Sequence, residues 1–142
     1  MNGLKQLVDI QENYSSAHGS WQKMVEHLQG LQNLNPSLPK HSVDCGGHRF
    51  VYNFADVEVF CHFTFAHPDG VLLFGYKDTN LSGSAKDIVT DKIYFDKFGN
   101  GKNKPDQTGS SFNITSGADL ADLFFDKLHK ALQRRFADVA RF

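Results

Sequence analysis

The chain reads as an α+β domain: an antiparallel sheet of four to five strands, with N-terminal helices and a long C-terminal helix packed on one face. Two observations predict this. Between residues 48 and 77, successive runs alternate apolar and polar residues in phase across recognisable turns, while both ends of the chain carry apolar residues at helical spacing. At 142 residues the chain suits a single domain spanning 1–142, large enough to bury a core without metal or disulfide.

From the N-terminus, Leu4, Leu7 and Val8 mark a first helix over residues 3–13, interrupted by Ser15, Ser16 and Gly19. A second helix follows with Ser20 as its N-cap, because Trp21, Met24, Val25, Leu28 and Leu31 form one buried stripe. Pro36 and Pro39 end it, since proline cannot continue a helix.

On a strand, successive side chains point to opposite faces. His48, Phe50, Tyr52 and Phe54 therefore share a side, opposed by Arg49, Val51 and Asn53. In the next run Val57, Val59, Cys61, Phe63 and Phe65 fall together, opposed by Glu58, Phe60, His62 and Thr64. A two-residue connection at Ala55-Asp56 sets Phe54 opposite Val57, Phe50 opposite Cys61 and His48 opposite Phe63, so the two apolar sets meet. Ala-Asp lacks the Asn-Gly chemistry that tight hairpins favour. His67-Pro68-Asp69-Gly70 suits a type I turn followed by a left-handed residue, which pairs Phe65 with Leu72 and Phe63 with Phe74. The aromatic side so formed needs cover, at roughly 1.5–3 kcal/mol for each large apolar side chain buried.

Residues 78–87 read as a crossover, either an irregular connection or one short helical turn, and a fourth strand runs over residues 88–98, with Tyr94 and Phe98 on one face and Ile93 and Phe95 on the other. Residues 99–111, rich in Gly, Asn, Lys and Ser, form a long loop to a short last strand at Phe112 and Ile114. In the closing helix Ser116 and Asp119 fit a capping box, acidic residues come first and basic residues last, and Leu120, Phe124, Leu128, Leu132, Phe136 and Val139 form the stripe that covers the sheet.

A formal charge of −1 argues against a general nucleic-acid or membrane-surface binder. Two cysteines do not make a secreted disulfide framework, no apolar run is long enough for a membrane span, and no leader pattern opens the chain, so the expected location is cytoplasmic. No cofactor is expected.

Several residue groups invite chemistry. His41, Cys45 and His48, or Cys61, His62 and His67, suggest a metal, yet their spacing matches no strong ligand pattern, and Cys61 and His62 point to opposite faces. Cys45 beside Gly46 and Gly47, with His41 or His48 as base, suggests a thiolate nucleophile; the plain reading is a loop cysteine. Gly99-Asn100-Gly101-Lys102 lacks the helix-opening Lys-Ser or Lys-Thr of a phosphate loop and reads as a basic hairpin tip. The run 47–54 has a passing likeness to an aromatic RNA-binding strand, but its aromatics are those the core needs.

The second sheet face is the most informative surface. It gathers Arg49, Val51, Glu58, Phe60, His62, Thr64, Val71 and Leu73, a mixture that faces of sheets open only to water do not usually collect. Either a partner covers it, or the long loop or first helix does. In an enzyme, His62 and Glu58 would be the acid/base pair and Arg49 the anion anchor.

In element order alone the chain is similar to bacterial secretion chaperones, which are small cytoplasmic dimers that bind partner chains and are typically more acidic; that resemblance implies a dimer and a protein ligand. The expectation is a small noncatalytic binding or adaptor protein of chaperone-like type. Its second face, through Arg49, Val51, Glu58, Phe60, His62 and Leu73, would take a protein partner or a second copy. The alternative is a small-molecule-binding or hydrolytic enzyme with a His/Glu/Arg or Cys/His site.

Overall fold

The computed structural model describes residues 2–32, 35–79, 83–104 and 112–140, apart from the side chains at 118 and 119. A long helix α1 (Asn2–Leu31) leads into six strands, β1 (Ser42–Asp44), β2 (Arg49–Phe54), β3 (Val57–Ala66), β4 (Asp69–Thr79), β5 (Ala85–Phe95) and β6 (Gly101–Lys102), and helix α2 (Gly117–Val139) follows. The strands form one antiparallel sheet in sequence order. The α+β class with an antiparallel sheet holds, with six strands in place of four or five.

The inward phase is that of the sequence. Phe50, Tyr52, Val59, Cys61, Phe63, Leu72, Phe74 and Tyr76 are all buried beneath the helices. From α1, Trp21 stacks on Phe63 at 5.8 Å between ring centroids and donates its indole N–H to the Gly47 carbonyl at 2.8 Å. From α2, Phe124 meets Phe50 and Phe74 edge-on at 5.6 and 6.0 Å. Both helices lie against the same side.

Six expectations need correction. The N-terminal region is one helix, because Ser15, Ser16 and Gly19 lie off or beside its inner stripe, and interior serines and glycine lower helix propensity without breaking an anchored helix. Only from about Tyr14 onward does that helix touch the sheet; Leu4 and Leu7 are 58 % and 65 % exposed. In α2 the buried stripe is Leu120, Phe124, Leu128 and Ala131, whereas Phe136 and Val139 stay exposed, although the same turns still touch β4 through the hydrogen bond from the Tyr76 hydroxyl to Asp138. Ser116 is the N-cap, without a side-chain cap bond; the Asp119 side chain of the expected capping box lies outside the described residues.

The β3–β4 register differs by two residues from the expected one. Phe63 faces Leu72, Phe65 faces Gly70 and Cys61 faces Phe74, because the turn is the two residues His67-Pro68, joined by a cis peptide, and Asp69 and Gly70 belong to the strand. A shift of two preserves the faces. Gly70 is needed there: the Phe95 ring lies over it, 2.2 Å from where a Cβ would sit.

β4 and β5 pair directly as a hairpin instead of through a crossover, with residues 80–82 of the connection outside the described residues. The strand expected at 88–98 spans Ala85–Phe95, and Phe98 sits beyond it, 68 % exposed. The last strand is Gly101–Lys102, while Asn113 makes one bridge to Asn100; most of the expected 99–111 loop, residues 105–111, lies outside the described residues.

The β4–β5 ladder slips between Phe74 and Gly75, where Phe74 faces Asp91 but Gly75 faces Val89, leaving Thr90 as a bulge. Parity on β5 therefore flips. Ile93 and Phe95 point to the core as odd-numbered residues, yet on the other side of the bulge Asp87 and Val89, also odd, point to the second face. A Cβ on Gly75 would lie 2.0 Å from the Ile88 carbonyl oxygen, so the bulge needs glycine.

Gly75→Ala is expected to cost about 3 kcal/mol, the upper range of overpacking, because the obstacle is backbone. Urea denaturation should show it, and a near-neutral result would mean that the bulge is not required.

The turn at Ala55-Asp56 is the tight two-residue type, with φ of 51° and 62°. Left-handed geometry costs roughly 1–2 kcal/mol at an ordinary L-residue, which Asn and Gly largely avoid. Replacing the pair by Asn-Gly should raise stability by about 1–2 kcal/mol in the same assay; no gain would contradict the turn geometry.

Candidate binding face

No described helix crosses the second face of the sheet. The side chains there are set in rows by the register: Arg49, His62 and Leu73 in one, Val51, Phe60, Gly75 and Val89 in the next. Phe60 is nevertheless only 1 % exposed. Its ring lies over Gly75, where a Cβ would meet it at 3.0 Å, and the Arg49 guanidinium carbon sits 4.1 Å above the ring centroid. Glycine forms the floor and arginine the lid. Such a cation over a desolvated ring contributes about 2 kcal/mol.

Asp87 holds that lid. Arg49 donates to both its carboxylate oxygens, at 3.1 and 2.6 Å, and its Nε donates to His62 Nδ1 at 3.1 Å. Arg49 is on β2 and Asp87 on β5, three strand spacings apart, or about 14 Å on a flat sheet. Their contact means that this side of the sheet curls inward. The two parallel N–H···O bonds of this pair add geometric specificity as well as energy.

The electrostatics follow from the contacts. The hydrogen bond from Arg49 holds the Asp87 carboxyl below its usual value, and the same bond raises the already basic Arg49. Burial, reinforced by the Arg49 charge, lowers the pKa of His62. Neutral His62 accepts at Nδ1, so its proton sits on Nε2.

The expected site residues are thus only partly brought together. Arg49, Phe60 and His62 form one cluster, with Val51 buried beside it and Leu73 half-buried next to His62. Glu58 belongs elsewhere: it pairs with Lys77 at 3.6 Å. It stands four residues from His62 along β3, about 13 Å on an extended strand, too far for the two to act on one atom. Neither the 99–111 loop, as far as it is described, nor α1 covers the face; its own arginine does. Asp87 was missed by sequence reading because it falls in the stretch taken for an irregular connection and its facing depends on the bulge.

The other candidates are placed as follows. Cys61 is fully buried, and burial pushes its thiol well above the ordinary range. Cys45 is exposed at the start of a 3-10 turn over Cys45–Gly47, and its φ is 55°. His41 stacks on Phe50 and contacts Gln32, while His48 packs on Phe63. Among the described residues no group of three His, Cys, Asp or Glu is arranged to hold a metal. Lys102, in the phosphate-loop-like turn, pairs with buried Asp69 at 3.0 Å. A cleft of about 410 Å³, not foreseen from the sequence, lies between α1 and residues 43–47, lined by His18, Trp21, Glu26, Val43 and Gly47 among others.

No protein-family model, curated protein or solved structure matches the chain. No described helix is long and apolar enough to cross a membrane.

The His62 shift carries a pH dependence. Its folded pKa is below the unfolded value of about 6.5, so the unfolded chain takes up the proton first as pH falls. The stabilisation is complete above about pH 6.5 and is lost progressively as the pH falls toward the lower folded value. His62→Gln keeps an acceptor for Arg49 Nε and should flatten this part of the stability-against-pH curve. An unchanged slope in urea titrations at about pH 5 to about pH 7.5 would remove His62 from the account.

Proposed function

We propose that the chain is a noncatalytic cytoplasmic binding protein whose second sheet face receives a partner protein. The observation that carries this reading is the pairing of the ionisable groups on that face. Arg49 is committed to Asp87 and His62, Lys77 to Glu58, and Lys102 to Asp69. A catalytic surface instead needs a base or nucleophile within hydrogen-bond reach of a substrate atom. Groups locked together in this way hold a shape.

What they leave open is a curled strip with half-buried Leu73 and Tyr94, exposed Thr64 and Val89, and charges of both signs around it. An apolar centre inside a polar rim is the usual anatomy of a protein interface. The balanced signs, with Lys77 between Glu58 and Asp87, suit a partner of mixed charge better than a polyanion. Location in the cytoplasm accords with two unpaired cysteines.

The test uses Leu73→Glu with Val89→Glu. Phe60→Glu is unsuitable, because a charge under the Arg49 lid would unfold the protein before any partner was lost. Immobilised wild-type chain should retain from its own cell extract a partner that the double variant loses at least about tenfold, as a charge set into an interface costs 2 kcal/mol or more. Equal retention by both chains, or nothing retained by either, would count against the reading.

A further inference from the structure

We propose that residues 2–12 of α1 form a dimerisation seam whose occupant is the same segment of a second copy of this chain. α1 has 30 residues and is about 45 Å long, but every residue from 2 to 12 is exposed. Four of the large hydrophobic side chains left in water, Leu4, Leu7, Val8 and Ile10, lie on this overhang at 58 %, 65 %, 46 % and 38 % exposure. A patch of that kind marks an interaction surface.

The spacing says what covers it. Leu7, Ile10, Tyr14, Ala17, Trp21 and Met24 alternate steps of three and four residues, so Leu7 and Ile10 prolong the stripe that packs on the sheet. A three-four seam is matched by another helix carrying the same repeat. The charged residues of the overhang, Lys5, Asp9 and Glu12, fall on its far side at 100° per residue, together with Val8, leaving the seam of Leu7 and Ile10 flanked by Leu4, Gln6 and Gln11. A seam without charge meets no repulsion from its own copy.

Geometry also selects the orientation. From Tyr14 onward the seam is occupied by the chain's own sheet, through contacts such as Tyr14 with Phe65 at 5.6 Å. A parallel pair would place both sheets at the same end and on the same side, where they collide. An antiparallel pair places them at opposite ends, sets Leu7 of each copy beside Ile10 of the other, and brings the small Gly3 against Tyr14. The interface is two-fold symmetric and small, so its dissociation constant lies above about 1 µM.

Sedimentation of the full chain over a range up to about 1 mM tests this, since it spans the weak-association regime. Wild type should move from one to two chain masses. Leu7→Asp with Ile10→Asp should remain a single chain throughout; its thermal midpoint should be close to that of wild type at low concentration, because both positions are exposed and lie outside the packed part of the helix. Leu73→Glu with Val89→Glu should still dimerise. Amide protection over residues 4–12 should rise with concentration, which pairing through the second face would not produce. A wild type that stays monomeric, or a dimer that survives Leu7→Asp with Ile10→Asp, overturns the proposal; either result leaves the extract experiment on the second face to stand or fall separately.

Discussion

The close approach of Gly75 to the Ile88 carbonyl is the constraint on which the architecture of the second face depends. It admits the bulge at Thr90, and the bulge changes which residues of β5 point inward. On one side of it Asp91, Ile93 and Phe95 face the helices, and Lys127 of α2 pairs with Asp91. On the other side Ile88 faces the helices and Asp87 the opposite way. Without the extra residue Asp87 would point toward α2, the Arg49 guanidinium would have no carboxylate, and Phe60 would lie open. One absent Cβ thus links the strand register, the curl of the sheet and the covering of an aromatic ring.

Much of the core was legible because its physics is local. The alternation over residues 48–65 sets the faces of β2 and β3, and the first hairpin register follows from a two-residue turn, even with Ala55 and Asp56 in left-handed geometry. The second hairpin register was off by two, since proline and glycine in one tetrapeptide suggest a four-residue turn, and only the ring of Phe95 above Gly70 reveals that glycine as a strand residue. The faces survived that error because they depend on parity alone.

What sequence could not show is contact between residues far apart. Asp87 is 38 positions from Arg49, and nothing in its neighbourhood announces the ion pair. Phe60 reads as an exposed recognition aromatic until its ring is seen between Gly75 and Arg49. α1 shows the reverse failing: Ser15, Ser16 and Gly19 suggest a break although the apolar stripe beside them runs on in register. Propensity is a weak signal where a helix is anchored by packing, as this one is by Trp21, Met24 and Leu28.

These features divide the surface into two parts with different physics. On the second face the Phe60 ring is covered, and the cover is a charged group held by hydrogen bonds; Arg49 is 12 % exposed but Asp87 is 40 % exposed, so salt reaches the pair from the Asp87 side. On the α1 overhang the apolar side chains are bare, and the charges lie away from Leu7 and Ile10. A partner meeting the first surface encounters a fixed shape that already satisfies its own polar groups, which favours specificity over affinity. A second copy meeting the overhang would gain mainly by removing leucine and isoleucine from water. An antiparallel pair built on that seam keeps the sheets at opposite ends, so each copy retains its curled face for a different ligand. In the proposed arrangement the long helix would join the two copies and leave both curled faces uncovered.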